Sequence, residues 1–76
     1  MLFRSIADDR SEIGEADNVL LIVDDDRHYA RILLGIARDK GFKGIVAHRG
    51  QTALQLVRQY LPTAITLDVF LPDMHE

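Results

Sequence analysis

Three short apolar stretches, separated by two segments with helical spacing, organise this chain. Val19-Leu20-Leu21-Ile22-Val23 is an unbroken apolar run of strand length, rich in β-branched side chains. Apolarity without alternation predicts a strand buried on both faces, as in a parallel sheet covered by helices. Over 27–40, Tyr29, Ile32, Leu33 and Ile36 recur at i, i+3, i+4 and i+7, which predicts an amphipathic helix that buries this face. Asp26 is placed to cap its start with a side-chain oxygen, and Gly41 to stop it at C′. Gly35 inside the helix costs about 1 kcal/mol relative to alanine, and the pattern offers no reason for it. Gly44-Ile45-Val46-Ala47 predicts a second strand. A second helix over 50–61 carries Ala53, Leu54, Val57 and Leu61 on one face, and Pro62 ends it because proline lacks the N–H. A third strand is predicted over 64–69, followed by Leu71-Pro72-Asp73 as a loop. The order β-α-β-α-β predicts an α/β fold with right-handed crossovers and a parallel sheet.

Composition bounds the function classes. The chain has 76 residues, room for one domain, and a formal net charge of −3. A chain this short buries only about 60% of its unfolded surface, so it is marginal alone. It has no cysteine, hence no disulfide and no thiolate metal site. The mild acidity gives no electrostatic footprint for nucleic acid. No apolar run approaches the ~20 residues of a membrane span, and the first ten residues lack the apolar core of a secretory signal. The expectation is a soluble, cytoplasmic protein. Residues 1–17 hold Asp8, Asp9, Glu12, Glu15 and Asp17 against two arginines. They read as an acidic leader or linker, solvated and partly frayed, with a short helix over 2–10 as the alternative.

Asp24 and Asp25 end the first strand, and Asp68 ends the third. In open α/β sheets, ligands bind beyond the carboxyl ends of the strands, where the strand order reverses. With strand one between strands two and three, order 2-1-3, the three carboxylates converge there. Three such groups repel and raise one another's pKa values, and a divalent cation removes the conflict. Hard oxygen ligands with few protein contacts suit Mg²⁺, which commonly bridges to phosphate. Alone, Asp24-Asp25-Asp26 reads equally well as caps and a solvated loop. Asp68 at the end of another apolar strand tips the balance.

These stretches resemble the receiver domain of two-component response regulators over 18–74. VLLIVDDDRHYARILLGIARDKGF is similar to its first strand, acidic pair and first helix; GQTALQLVRQYLP to its second helix; AITLDVFLPDM to its third strand, phosphoacceptor and following loop. The resemblance implies half of a flavodoxin-like (CheY-like) doubly wound sheet, with 18–76 as a truncated receiver. It implies that Asp68 takes a phosphoryl group from the phosphohistidine of a histidine kinase or phosphotransfer protein. It implies that Asp25 binds Mg²⁺ directly, Asp24 directly or through water, and Phe70 through its backbone carbonyl. Pro72 would shape the loop. Such a module is a signalling switch, not an enzyme.

The pattern also departs from the family. The Ser or Thr after strand four and the Lys after strand five are missing, and His75-Glu76 stand where Asp-Gly is usual. The outer edge of the third strand is expected to be unpaired, a template for self-association about a twofold axis. A natural fragment, an engineered half-domain that associates without phosphotransfer, and part of a longer protein all fit. A third reading is an aspartate-nucleophile phosphatase with an Asp-x-Asp strand end. Asp24 and Asp26 have that spacing, but His28 stands where such enzymes carry Thr or Val. His28, His48 and His75 are expected to be solvated, Arg27 to lie at the surface, and Tyr29 and Tyr60 to be packing aromatics.

Overall fold

The computed structural model describes residues 8–68. Three strands, β1 (Asn18–Val23), β2 (Phe42–Ala47) and β3 (Ala64–Leu67), alternate with two helices, α1 (Arg27–Asp39) and α2 (Gly50–Tyr60). The strands form one parallel sheet in the order β2-β1-β3, as half of a CheY-like fold requires. Both registers align the carboxyl ends: Val23 lies beside Ala47 on one side and Leu67 on the other.

The central strand is buried on both faces, as its unbroken apolarity demands. Val19, Leu21 and Val23 pack with Ile45 and Ala47 against Ala53 and Leu56 of α2. Ile22 packs with Val46 on the opposite face, against Ala30 and Leu34 of α1. Asp26 caps α1 as expected, its Oδ1 accepting the Tyr29 N–H at 3.1 Å. Gly41 has φ 88°, the left-handed stop that favours glycine.

The helix faces differ from their periodicity. The pattern assigned Tyr29, Ile32, Leu33 and Ile36 to the core, yet α1 buries Ala30, Leu34 and Ala37. Tyr29, Ile32 and Ile36 stay 50%, 46% and 49% exposed, and Leu33 only half-packs. Gly44 supplies the reason. A Cβ there would collide with Leu34 Cδ1, so Leu34 seats directly over the bare backbone of β2. Small residues on the adjacent stripe, Ala30 and Ala37, let the helix come close enough for that seat. In α2 likewise, Gly50, Ala53 and Leu56 face inward, while Leu54 and Leu61 are exposed. α2 ends one residue before the expected Leu61, which takes the left-handed conformation (φ 48°) and donates its N–H to Val57 O. β2 begins two residues earlier than its apolar run suggested, and β3 ends at Leu67.

Nothing among the described residues requires glycine at position 35. Gly35 is exposed on α1, and an added Cβ would meet only open space. Gly35→Ala is expected to raise stability by about 1 kcal/mol, read as a melting-temperature rise of roughly 4–8 °C. An unchanged or lower melting temperature would contradict this.

The reading of the leader as solvated does not hold for residues 8–10 or for Ile13, although Ser11 and Glu12 are exposed. Asp9 is buried, Asp8, Arg10 and Ile13 are half-buried, and Arg10–Glu12 form one 3₁₀ turn beside β2. Acidic residues looked solvated because the pattern could not show their partners on β2 and α1. Among the described residues no helix is long and apolar enough to cross a membrane.

Candidate functional site

Aligned carboxyl ends bring the sequence-predicted residues together. Asp24 directly follows β1, and its N–H donates to Ala47 O at 2.9 Å. Asp68 directly follows β3, and its N–H donates to Val23 O at 2.9 Å. One carboxylate oxygen from each of Asp24, Asp25 and Asp68 lies within 4.8 Å of the others. Asp24 is buried, Asp68 half-buried and Asp25 exposed, so the cluster opens to solvent on one side. Phe70, the expected backbone ligand, lies outside the described residues, as do Pro72 and His75.

Burial pushes the Asp24 carboxyl above the usual aspartate range. The Asp26 N–H, donating to Asp24 Oδ1 at 2.9 Å, opposes the rise, and the charges of Asp68 and Asp25 add to it. Burial leads the rise, and the repulsion of acids sharing one pocket adds to it. Asp26 stands apart from it, its carboxylate turned to the first turn of α1. An Asp-x-Asp centre built on Asp24 and Asp26 therefore lacks its second carboxylate.

A cavity of about 370 Å³ opens beside the cluster, lined by Asp24, Asp68, Val23, Tyr29, Leu33 and Thr66. Two of its lining residues, and one further residue that touches Asp24, were missed in the sequence. Tyr29, expected to pack, lines this cavity because α1 is rotated away from the face its periodicity suggests. Thr66 sits two residues before Asp68, where strand alternation places same-face neighbours; that spacing was the available signal. His48, expected to be solvated, is half-buried, and its Nδ1 donates to Asp24 O at 2.9 Å. No local motif announces that contact, since it depends on β2 lying beside β1. His28 is exposed on the first turn of α1, as is Arg27.

Curated relatives share this stretch. The chain is 39% identical over 56 residues to the DNA-binding response regulator MtrA of Mycobacterium tuberculosis and of Mycolicibacterium smegmatis, a match covering 74% of this chain and 25% of each relative. It is 40% identical over 55 residues to the transcriptional regulatory protein CpxR of Escherichia coli, covering 72% of this chain and 23% of that protein. The chain thus spans about a quarter of the length of the curated relatives it matches. No family model matches it, and no solved structure gives a significant match. Similarity in sequence to response regulators and the parallel β2-β1-β3 order, consistent with half of a CheY-like fold, together support a receiver domain.

Proposed function

We propose that the chain is the phosphoacceptor part of a two-component receiver, in which Asp68 accepts a phosphoryl group at a Mg²⁺ site shared with Asp24 and Asp25. The observation that supports this reading best is the convergence of the three carboxylates. A buried acid held above its ordinary pKa, facing two other acids, fits a group whose native state includes a cation. Carboxylate oxygens are the hard donors that Mg²⁺ selects, and two or three of them leave room for water and phosphate oxygens. Bound there, Mg²⁺ would neutralise charge on the phosphoryl oxygens and on the acids. Phe70 would add its carbonyl as a further ligand.

The rest falls to this chain's own residues. An oxygen of Asp68 forms a bond to phosphorus as the phosphorus–nitrogen bond of a phosphohistidine breaks. The electron pair returns to the imidazole, which takes up a proton. β3 fixes the nucleophile through the Asp68 N–H on Val23 O, so only the side chain turns. The product, an acyl phosphate, places about two negative charges at the end of β3, a change able to reposition neighbouring elements. The donor would be a histidine kinase or phosphotransfer protein in the cytoplasm. The relatives' printed names suggest a DNA-directed output in a longer protein.

The test is incubation with acetyl phosphate and Mg²⁺, followed by intact mass. One hydroxylamine-labile phosphoryl group on Asp68, formed only with Mg²⁺, is expected. No adduct, or one elsewhere, would overturn the reading.

A second reading is a self-associating module without phosphotransfer. Exposure along β3 favours it: Ile65 and Leu67 are half-exposed, and an apolar cavity of about 160 Å³ separates them from Leu54 and Val57 of α2. Among the described residues, only one edge of β3 is paired. Sedimentation of the chain separates the two. A dimer that forms no adduct supports this reading, and a monomer that forms one supports the first.

The electrostatics also set a stability prediction. Because the folded state raises the Asp24 pKa, its favourable contribution is present below the unfolded value and lost as pH rises through the folded one. At neutral pH without cation, the charge on Asp24 therefore destabilises the fold. In a chelator, Asp24→Asn is expected to melt higher by on the order of a few degrees. Mg²⁺ is expected to stabilise the parent and not the variant. A lower melting temperature for the variant in chelator would contradict the account.

A further inference from the structure

The outer edge of β2 is already occupied, and by residues the sequence reading set aside as a solvated leader. We propose that residues 8–10 form an intramolecular strap that fills this edge and holds a second copy of the chain off it. The inference stands apart from the phosphoacceptor reading.

Among the described residues β2 is an edge strand, with β1 on one side only. Ala47 turns its carbonyl to Asp24, so the alternate residues Gly44 and Val46 turn their N–H and C=O groups outward. All four of these groups are taken by the strap. Asp9 N–H donates to Gly44 O at 2.9 Å, and Gly44 N–H donates to Asp9 Oδ2 at 2.9 Å. Val46 N–H donates to Asp8 Oδ2 at 2.8 Å, and Arg10 Nη2 donates to Val46 O at 3.0 Å. Only one of the four bonds uses the strap's backbone. Three use side chains, so the strap satisfies the edge without being a strand and offers no new ladder to a further chain.

Charge locks it in place. Arg10 holds Asp8 through Nε–Oδ1 at 2.9 Å and Nη2–Oδ2 at 2.8 Å. Arg38, reaching over from α1, holds Asp9 through Nη2–Oδ1 at 2.8 Å and Nε–Oδ2 at 3.2 Å. Burial would raise the Asp8 carboxyl, but the Arg10 side chain and the Val46 and Arg10 amides outweigh it and keep it below the usual range. Arg38 leads in holding Asp9 low, with the Gly44 amide and Lys43 adding to it. Each aspartate thus serves two partners, an edge amide and an arginine.

A bare edge strand templates pairing with another strand. Stripped of the strap, this edge would bare the two donors and two acceptors of Gly44 and Val46 in strict alternation. The same edge of a second copy, turned about a twofold axis, presents the matching set. The occupant that the strap excludes is therefore another β2.

Hydrogen exchange and cross-linking in the full chain test this. The chain has no cysteine, so a single Lys43→Cys or Ile65→Cys reports pairing across β2 or across β3, respectively. Two strap variants are compared with the parent: Asp8→Ala with Asp9→Ala, and the milder Arg10→Gln, which leaves the fold intact should the double variant not. In either folded variant, the Gly44 and Val46 amides are expected to exchange at least ~10-fold faster while Ile22 is unchanged. Cross-links through position 43 should appear with rising concentration, and be absent in the parent. Unchanged exchange at Gly44 and Val46 would overturn the strap. Faster exchange with cross-links only through position 65, or with none, would overturn its role as a guard.

Discussion

On the proposed function, replacing Asp68 by asparagine is expected to abolish Mg²⁺-dependent phosphoryl acceptance, down to the level of a denatured control. The substitution keeps the size of the side chain and leaves the Asp68 N–H free to hold Val23 O, so β3 retains its end. What it removes is the anionic oxygen that would form the bond to phosphorus, and a neutral amide oxygen is a poor substitute. Asp25→Asn behaves differently. Its exposed carboxylate is assigned to the cation in the proposal, so the nucleophile would survive, and acceptance is expected to fall at low Mg²⁺ and recover as Mg²⁺ rises. Stability and function should also move in opposite directions for Asp68→Asn. Asp68 is one of the charges that raise the Asp24 carboxyl, so losing it relieves repulsion and raises the melting temperature in chelator. A variant that is inactive and more stable has lost its site, whereas one that is inactive and less stable has lost its fold. Acyl phosphate trapped with hydroxylamine and melting curves on the same samples decide between these.

The largest stability effects are expected where α1 meets β2. Leu34 is fully buried and seats over Gly44, whose missing Cβ makes the seat possible. Leu34→Ala should cost about 2–5 kcal/mol, the transfer term plus the cavity left behind. Native stability is roughly 0.05–0.15 kcal/mol per residue, so in so short a chain that loss is a large share of the total. Gly44→Ala should cost about 1–3 kcal/mol, because its Cβ drives into Leu34 Cδ1 and the helix must shift. The two losses should not add. With Leu34 truncated, the new Cβ enters the space the leucine left. The double variant is expected to be more stable than the sum of the single losses implies, by about 0.5–3 kcal/mol. Urea unfolding of the three variants measures the cycle, and strict additivity would refute the seat.

Much of the architecture was legible because it rests on local pattern. The unbroken Val19–Val23 run could only be satisfied by cover on both sheet faces, and the Asp26 cap and Gly41 stop follow from single-residue chemistry. The carboxylate cluster was legible once the strand order was assumed, because a parallel 2-1-3 sheet leaves the ends of β1 and β3 side by side. Helix rotation was not legible. Alanine and glycine carry little weight in a hydrophobic pattern, yet Ala30, Ala37 and Gly44 decide which stripe of α1 can approach the sheet. Large residues then dominated the reading and pointed to a neighbouring face. The contacts of Asp8, Asp9 and His48 were hidden for another reason. Each depends on partners tens of positions away: Gly44, Val46 and Arg38 for the strap, Asp24 for the histidine. An acidic cluster read by composition alone is solvated; only the fold supplies amides and arginines for it to bind.

The claim beneath the functional reading is that acids from two strand ends act as one cation site. Calorimetric titration of the chain with Mg²⁺ at neutral pH measures this directly. The account predicts one saturable site, lost in Asp68→Asn and strongly weakened in Asp25→Asn. Saturable binding unaffected by Asp68→Asn, or no saturable binding in the parent, would contradict it.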